Sequence, residues 1–312
     1  MNIILTGAAG RLGTLLVKHF AGDDRHTVLA LGRDGAALAR LQADVGPRGR
    51  NITYGTNDEF LAERLSLPAG TEHTVIHLAF GRHSRGGAEI ASSLVFMERL
   101  LTRLESLTGL RRIVYVSSQS VYGGTPEFRT AGKTPVAPEL AYAMAKYAGE
   151  VLLSSFAARR PEVSAAVLRL EAVIQSQNLV PALCRAAVRE HKLSIRGGGQ
   201  QVSYLDAEDA AQAIAAASLT DEPGYRVYNT GPDRMRVTLS ELAELVRRSA
   251  EGRGIPVQIE TTPADIAQWA GMDAAAFQQA FHWRPQYGLP QMVDRTFAEV
   301  LEQITSSGEA LT

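Results

Sequence analysis

The chain has 312 residues, of which 45% are hydrophobic and 21% charged, the composition of a folded protein and not of a disordered one. A net charge of −1, spread along the chain, excludes the basic face that nucleic-acid binding requires. The single cysteine, Cys184, excludes an internal disulfide and a cysteine-based zinc site, and we expect a cytoplasmic protein because no stretch is suited to a secretion signal or a membrane span.

Short apolar runs alternate with amphipathic segments through the first half of the chain. We predict strands at 3–5, 27–31, 52–54, 74–79, 113–116 and 165–170, and helices at 12–20, 36–42 and 142–158. The strands are near-continuous apolar runs, as expected of a parallel sheet that is buried on both faces. The repeated pattern predicts an α/β, doubly wound, Rossmann-type fold with right-handed crossovers.

The pattern becomes irregular after residue 173. One more buried strand is predicted at 226–229, and the tail from 238 onward is predicted to be helical, with joints rich in proline and glycine. We therefore predict a Rossmann domain over 1–173, which 202–231 rejoins, and a smaller substrate-binding lobe made of 174–201 and 232–312. This lobe is expected to cover the carboxyl edge of the sheet.

A glycine-rich segment, Thr6-Gly7-Ala8-Ala9-Gly10-Arg11-Leu12-Gly13, lies between the first predicted strand and the first predicted helix. Gly7 permits the tight turn, Gly10 lets the main chain approach a pyrophosphate, and Gly13 allows close packing of helix on strand. The start of the helix offers N–H groups and a positive dipole to phosphates. Glycines also collect in structural turns, but the strand–loop–helix context predicts a dinucleotide site that includes Arg11 and Leu12.

The end of the second predicted strand, Gly32-Arg33-Asp34, bears on the choice of cofactor. An acidic side chain at the strand tip accepts a hydrogen bond from a ribose 2′-hydroxyl and favours NAD, but Gly32 occupies that place. Arg33, or Arg11 as a second candidate, can pair with a 2′-phosphate, so we predict NADP in preference to NAD. The alternative is that Arg33 is a solvated loop residue and that Asp34 holds the ribose.

Three residues predict an acid–base site. Tyr142 and Lys146 are four residues apart and so lie on one face of a helix. A free tyrosine has a pKa near ~10, but a neighbouring ammonium group and a positive nicotinamide ring stabilise the phenolate. Ser118 follows a buried strand, where open α/β sheets bind their ligands. A Tyr-x-x-x-Lys spacing also arises by chance, and a serine after a strand is often a helix cap.

Together these segments resemble the extended short-chain dehydrogenase/reductase family, in particular its NAD(P)-dependent epimerase/dehydratase branch. The resemblance runs from the glycine loop through His77-Leu78-Ala79 and Ser117-Ser118-Gln119-Ser120-Val121-Tyr122-Gly123 to Tyr142 and Lys146, and weakly to Asp209, 228–231 and 283–285. It implies that Ser118 is the catalytic serine, Tyr142 the acid–base residue and Lys146 a residue that also binds the cofactor. It further implies that Leu78 and Ala79 line the cofactor site.

Three departures from the family bear on the substrate. Gln119 and Ser120 stand where its dehydratases carry an Asp-Glu pair, which argues against dehydration and makes both residues candidate substrate contacts. The segment 169–173 lacks the asparagine that its nucleotide-sugar enzymes usually have, and Val202 stands where an arginine often binds a substrate phosphate. An uncharged side chain cannot replace that contact, so a nucleotide sugar is disfavoured unless Arg185, Arg189 or Arg196 serves instead.

The segment from Phe80 to Gly87 follows the fourth predicted strand and is expected to line the cleft. Its Arg82, His83 and Arg85 are candidate contacts to a carboxylate or phosphate of the substrate; the alternative is a polar loop without such a role. The other histidines lack metal-ligand spacing, and no metal site is predicted.

Three functions are compatible with these residues. The leading hypothesis is an NADPH-dependent reductase, or the reverse dehydrogenase, of a ketone or alcohol on a sugar-like or small polar substrate, with Tyr142 as proton donor and Ser118 on the same oxygen. The first alternative is a nucleotide-sugar epimerase with tightly bound NAD(P). The second is a non-catalytic redox sensor, which has no need of a tuned phenol.

The resemblance also implies a homodimer formed through a four-helix bundle. The helices concerned are predicted at about 92–106 and 141–158. Both carry more apolar residues than one buried stripe requires, for example Leu94, Phe96, Met97, Leu100 and Leu101. Apart from a second copy and a small-molecule substrate, no partner is expected, neither nucleic acid nor membrane.

Overall fold

The computed structural model describes residues 1–67, 72–81, 87–176 and 179–306. Its helices and strands follow one another as β1 (Asn2–Thr6), α1 (Arg11–Phe20), β2 (Thr27–Gly32), α2 (Gly35–Val45), β3 (Ile52–Thr56), α3 (Asn57–Leu61), β4 (His73–His77), α4 (Gly87–Glu105), β5 (Leu110–Ser118), β6 (Arg129–Thr130), α5 (Ala141–Arg159), β7 (Ser164–Leu170), α6 (Leu179–Glu190), β8 (Lys192–Arg196), β9 (Gln201–Val202), α7 (Ala207–Leu219), β10 (Tyr225–Thr230), β11 (Val237–Thr238), α8 (Leu239–Glu251), β12 (Gln258–Thr262), β13 (Met272–Asp273), α9 (Ala275–Ala280) and α10 (Leu289–Ser306).

Seven of the strands form one parallel sheet in the order β10-β7-β5-β4-β1-β2-β3. The strand order changes direction between β1 and β4, so the loops that leave these two strands diverge and open a crevice at their carboxyl ends. The prediction of a Rossmann-type, doubly wound sheet is confirmed.

Both faces of this sheet are covered by helices. Ile3 and Leu5 of β1 pack in a hydrophobic cluster with residues of α1, α2 and α7. Ile4, between them, packs on the opposite face with residues of α4 and α5. All three side chains are buried. Burial of consecutive residues explains why the strand sequences are apolar throughout and do not alternate with polar residues.

A second hydrophobic core lies among α6, α8 and α10, with β8 and β12 beside it. Val202 and Tyr204 belong to this core, whereas Leu205 belongs to the cluster that packs on the central sheet. The chain therefore passes from one core to the other between Tyr204 and Leu205. This crossing falls inside the stretch 202–231 that was predicted to rejoin the Rossmann domain.

The tail is less helical than predicted. β12 pairs in parallel with β8, from Gln258 opposite Lys192 to Thr262 opposite Arg196, and residues 263–271 form no helix. The side chains of β12 are exposed or half-buried. Without an apolar run, this strand lacks the signal that marks a buried strand in a sequence.

The longest helices in the described ranges are α4 and α5, with 19 residues each. Among the helices of these ranges, none combines the length and the apolar character needed to cross a lipid bilayer.

Candidate active site

The glycine loop between β1 and α1 is shaped by close main-chain contacts. Gly7 has a φ of +76°, and a Cβ atom at this residue would lie 2.9 Å from the main-chain nitrogen of Ala79. A Cβ atom at Gly13 would lie 2.2 Å from the Gly7 oxygen. No larger residue fits at either position. Gly10 precedes α1 without a side-chain cap, so the first N–H groups of the helix remain available to an anion.

One cavity of about 560 Å³ at the carboxyl edge of the sheet brings most of the predicted residues together. From the predicted cofactor site it is lined by Gly7, Gly10, Arg11, Leu12, Gly13 and Leu78. From the predicted catalytic and substrate residues it is lined by Ser118, Gln119, Ser120, Tyr142 and Lys146. The rest of the lining is Phe80, Val116, Ser117, Leu170, Glu171, Ala172, Val173 and Ser176. The glycine loop and the acid–base residues therefore share one space.

The residues predicted to choose between cofactors lie at the edge of this space or outside it. Arg33 does not line the cavity; its side chain is 61% exposed and its guanidinium lies 3.4 Å from the Glu89 carboxylate. Asp34 caps α2 by accepting a hydrogen bond of 2.9 Å from the N–H of Ala36. Arg11, the second candidate, pairs with Glu299 of α10 at 3.1 Å. These contacts leave the preference for NADP a prediction.

The end of β4 supports the glycine loop. The N–H of Ala79 donates to Thr6 Oγ1 at 3.3 Å, which places the Ala79 main chain against Gly7, beside the cavity lining. The predicted substrate contacts Arg82, His83 and Arg85 lie outside the described residues. Within the described ranges, no three His, Cys, Asp or Glu side chains are grouped as metal ligands.

α5 carries Tyr142 and Lys146 one turn apart. The Lys146 side chain is buried and its Nζ atom donates a hydrogen bond of 2.8 Å to the main-chain oxygen of Val116. The same atom lies 5.9 Å from the centroid of the Tyr142 ring and 4.0 Å from that of Phe80. Burial lowers the pKa of Lys146 to about 7, and the Glu150 carboxylate opposes that shift. Lys146 is thus placed to stabilise negative charge near Tyr142.

Ser118 ends β5 and is hydrogen-bonded within its own turn. Its Oγ atom accepts from the N–H of Ser120 at 3.2 Å and from the Ser120 hydroxyl at 3.0 Å. Both bonds use Ser118 as the acceptor, so its own hydroxyl hydrogen is available to an oxygen atom of a substrate. Ser118 therefore caps the helical turn that follows it, which was the alternative role considered from the sequence, and it also lines the cavity.

A buried ion pair lies behind the site, and the sequence analysis missed it. Glu150 accepts hydrogen bonds from Arg169 at 3.0 and 2.7 Å, and a third from the Ser117 hydroxyl at 2.6 Å. Both charged residues are at most 5% exposed. An arginine inside a strand predicted to be buried signals such a pair, because a buried charge needs a partner. Glu150 also follows Lys146 by one helical turn.

Gln119 is held by a second buried arginine. Arg129, which is 4% exposed, donates to the Gln119 side-chain oxygen and to the main-chain oxygens of Gly123 and Trp269, the latter two at 2.9 and 2.7 Å. An amide at residue 119 and a hydroxyl at residue 120 do not ionise near neutral pH. Neither residue therefore provides the acid that elimination of water requires.

The described residues that the sequence suggested for binding a substrate phosphate do not line the cavity. Val202 is 5% exposed and packs in the second core. Arg185, Arg189 and Arg196 are absent from the cavity lining among the described residues. Among the described residues, the cationic side chains that line it are those of Arg11, in the glycine loop, and Lys146, on α5.

The sheet order, the glycine loop and the grouping of Ser118, Tyr142 and Lys146 are those of a short-chain dehydrogenase/reductase. The chain belongs to the NAD dependent epimerase/dehydratase family, whose model matches residues 3–231. The resemblance stated from the sequence is thereby confirmed.

Some similar proteins match only part of this chain, and others match almost all of it. The uncharacterized protein y4nG of Sinorhizobium fredii is 26% identical over 214 aligned residues. The alignment covers 61% of this chain and 53%, about half, of the relative. The UDP-glucose 4-epimerase of Mycolicibacterium smegmatis is 24% identical over 310 residues, 95% of this chain and 97% of the relative. Among solved structures, dTDP-glucose 4,6-dehydratase from Bacillus anthracis in complex with NAD has a TM-score of 0.80 at 18% identity and covers 98% of each chain.

Proposed function

We propose that this protein is an NAD(P)-dependent epimerase of a sugar-like substrate, which oxidises a secondary alcohol to a ketone and reduces it from the other side with the same retained dinucleotide. The observation that carries the proposal is that the glycine loop and Ser118, Tyr142 and Lys146 line one cavity. The sequence alone placed a net reductase first. The comparisons favour the epimerase, because a relative of nearly equal length is named as a UDP-glucose 4-epimerase.

The residues present fit a dinucleotide. The space that a Cβ atom would fill at Gly7 and Gly13 is occupied by main chain, and the uncapped start of α1 leaves N–H donors for a pyrophosphate. Lys146 would hold the ribose of the nicotinamide half. When bound, the dinucleotide supplies the acceptor and donor of hydride.

The chain's own residues handle the proton and the oxygen atom. Tyr142 takes the alcohol proton during oxidation and returns it during reduction. Lys146, with Nζ 5.9 Å from the centroid of the phenol ring, stabilises the phenolate that accepts this proton and that forms again when the proton is returned. Ser118 donates its hydroxyl hydrogen to the substrate oxygen, since the Oγ atom already accepts two bonds from Ser120.

A net NADPH-dependent reductase is the second candidate, and one observation favours it. The tip of β2 carries Gly32 and not an acidic residue, and Arg33 next to it is exposed enough to turn toward a 2′-phosphate. A reductase must exchange its cofactor at each turnover, whereas an epimerase keeps it.

The fate of the cofactor tests the two candidates. In the first experiment, purified protein is denatured and any released nucleotide is identified by chromatography. In the second, native protein is incubated without added cofactor with a panel of neutral aldoses, UDP-glucose and UDP-galactose, and the conversion of each sugar is followed by NMR. We expect bound dinucleotide and formation of an epimer. Protein that is free of nucleotide and consumes added NADPH in the presence of ketones establishes the reductase instead.

A further inference from the structure

Gln119 follows the predicted catalytic serine, Ser118, and both residues line the cavity. The Gln119 side chain is half-buried, and its Oε1 atom accepts a hydrogen bond from the guanidinium of Arg129. An amide group can turn over and exchange the places of its oxygen and its nitrogen. A guanidinium only donates, so only the amide oxygen fits beside Arg129. The Gln119 nitrogen, Nε2, is therefore the atom left for another partner.

Arg129 is itself fixed in place. It is 4% exposed, and its second terminal nitrogen donates to the main-chain oxygens of Gly123 and Trp269 at 2.9 and 2.7 Å. Its own main-chain oxygen accepts a hydrogen bond of 2.8 Å from Asn229 Nδ2, and β6 pairs with β13 at this residue. The guanidinium therefore holds the Gln119 amide in one orientation.

The Nε2 atom of Gln119 is an unused donor. Within the described ranges, neither of its N–H groups donates a hydrogen bond to the protein. It is also not one of the fully buried polar atoms that lack a partner there, so part of its surface is accessible. Since Gln119 lines the cavity, this donor is available to a molecule bound in it.

Two effects of Arg129 suit this donor to recognition. Positive charge beside the amide oxygen polarises the amide and strengthens its N–H groups as donors. A side chain that is already held in its binding orientation also loses little conformational entropy when a ligand binds.

We propose that Gln119 is a specificity-determining residue whose Nε2 atom donates a hydrogen bond to a second hydroxyl oxygen of the substrate, beside the oxygen that Ser118 and Tyr142 contact. Arg129 is the positioning residue that sets the direction of this bond. The proposal rests on the proposed function, because it takes the cavity to be the site of a sugar-like substrate.

Two substitutions of Gln119 separate a substrate contact from a merely structural role. Gln119→Glu keeps an acceptor for Arg129 and removes the donor, whereas Gln119→Met removes both and adds no charge. Gln291→Glu is the matched control. The exposed Gln291 also accepts through Oε1, from the N–H of Gly288 at 2.8 Å, and it does not line the cavity.

The probes for turnover are D-glucose, UDP-glucose and the deoxy forms of each that lack one hydroxyl group away from the reacting carbon. We expect the wild type and Gln291→Glu to convert one deoxy form with a kcat/KM about tenfold or more below that of its parent sugar, chiefly through KM. Gln119→Glu and Gln119→Met should treat the same two sugars alike within about threefold. If Gln119→Glu discriminates like the wild type, holding Arg129 is the role of this side chain and the proposal is overturned.

A second measurement does not depend on turnover. The side-chain amide signal of Gln119 is followed by NMR in isotope-labelled protein that holds NADH, so that a sugar alcohol binds but cannot be oxidised, and it is assigned by its loss in Gln119→Glu. We expect D-glucose or UDP-glucose to shift this signal and to leave that of Gln291 unchanged. A sugar that is converted without shifting the Gln119 signal overturns this proposal alone, and no shift with either sugar overturns it as well. A sugar that shifts the signal but is never converted refutes the proposed function and supports the contact.

Discussion

The Lys146 ammonium nitrogen lies 4.0 Å from the centroid of the Phe80 ring and donates its one described hydrogen bond to the Val116 oxygen. An ammonium group has three donors, so two lack a strong acceptor in this arrangement. The aromatic face compensates only part of the lost hydration. This explains why burial brings the pKa of Lys146 down to about 7.

Binding of a dinucleotide should therefore depend on pH. Ribose hydroxyls and phosphates favour the charged form of Lys146, so binding takes up a proton once the pH exceeds the pKa of about 7 in the free protein. We expect affinity for NADH to be level below that pH and to fall by up to about tenfold per pH unit above it. Fluorescence titration from pH 6 to pH 9 measures this change.

The variant Lys146→Met is the control for this pH dependence. It lacks the titrating group, so its affinity for NADH should be weaker than that of the wild type and level across the same range. A slope that persists in Lys146→Met would assign the pH dependence to another group.

Removal of the Tyr142 hydroxyl should abolish the proton transfer and spare the fold. Tyr142→Phe is expected to lower kcat by about 10²- to 10⁴-fold while the affinity for NADH changes little. Tyr147→Phe, on the exposed side of the same helix, removes an equivalent hydroxyl and should leave kcat unchanged. Comparable rates for Tyr142→Phe and the wild type would rule out Tyr142 as the acid–base residue.

The sequence was sufficient for the central sheet because its inner strands, such as β1, β4 and β7, are buried on both sides. A run such as Ile3-Ile4-Leu5 has no other stable environment in a soluble domain. The pairing of β12 with β8 was missed, because residues such as Glu260 and Thr261 are exposed and carry no apolar signal. Local sequence also does not state which distant segment pairs with which.

The same limit applies to the site. The glycine loop and the pair Tyr142–Lys146 are local patterns with fixed spacing, so they were found. Glu150 and Arg169 are 19 residues apart and meet only because α5 packs on the sheet beside β7. For Glu171, the sequence showed a departure from a family pattern, and only the structure shows that its carboxylate is buried.

The predicted preference for NADP can be tested at Arg33. If its guanidinium binds a 2′-phosphate, Arg33→Ala should weaken NADPH binding by about 10- to 100-fold and leave NADH binding unchanged, since charge-assisted hydrogen bonds contribute about 1.5–3 kcal/mol. Arg40→Ala serves as the control, because it removes an exposed arginine of the neighbouring helix α2. Equal losses for the two nucleotides, or none for either, would contradict the preference for NADP.

The exposed apolar side of α5 leads us to propose a homodimer. Four apolar side chains that are three or four residues apart, and so lie on one side of the helix, are 38–55% exposed: Leu140, Met144, Tyr147 and Val151. Burial of such a stripe stabilises association. We expect the wild type to sediment as a dimer and Val151→Asp as a monomer, with Ile266→Asp, an exposed apolar residue elsewhere, as a dimeric control. A monomeric wild type would exclude the bundle interface.

Removal of one partner of the ion pair between Glu150 and Arg169 should destabilise the protein more than removal of both, because it leaves the other charge buried and unpaired. Glu150→Leu leaves Arg169 buried without its carboxylate, so the free energy of unfolding should fall by about 3–5 kcal/mol in urea titrations. Glu105→Leu breaks an exposed pair with Arg159, and its loss should stay below about 1 kcal/mol.

The double variant Glu150→Leu/Arg169→Leu separates charge from packing. It removes both charges and keeps apolar volume, so much of the stability lost in Glu150→Leu should return. Ser117 would still lack the acceptor that Glu150 provides at 2.6 Å. Because Ser117 adjoins Ser118, the predicted catalytic serine, kcat should be lower than in the wild type even where stability recovers. Recovery of both stability and kcat in the double variant would show that the pair does not position the site.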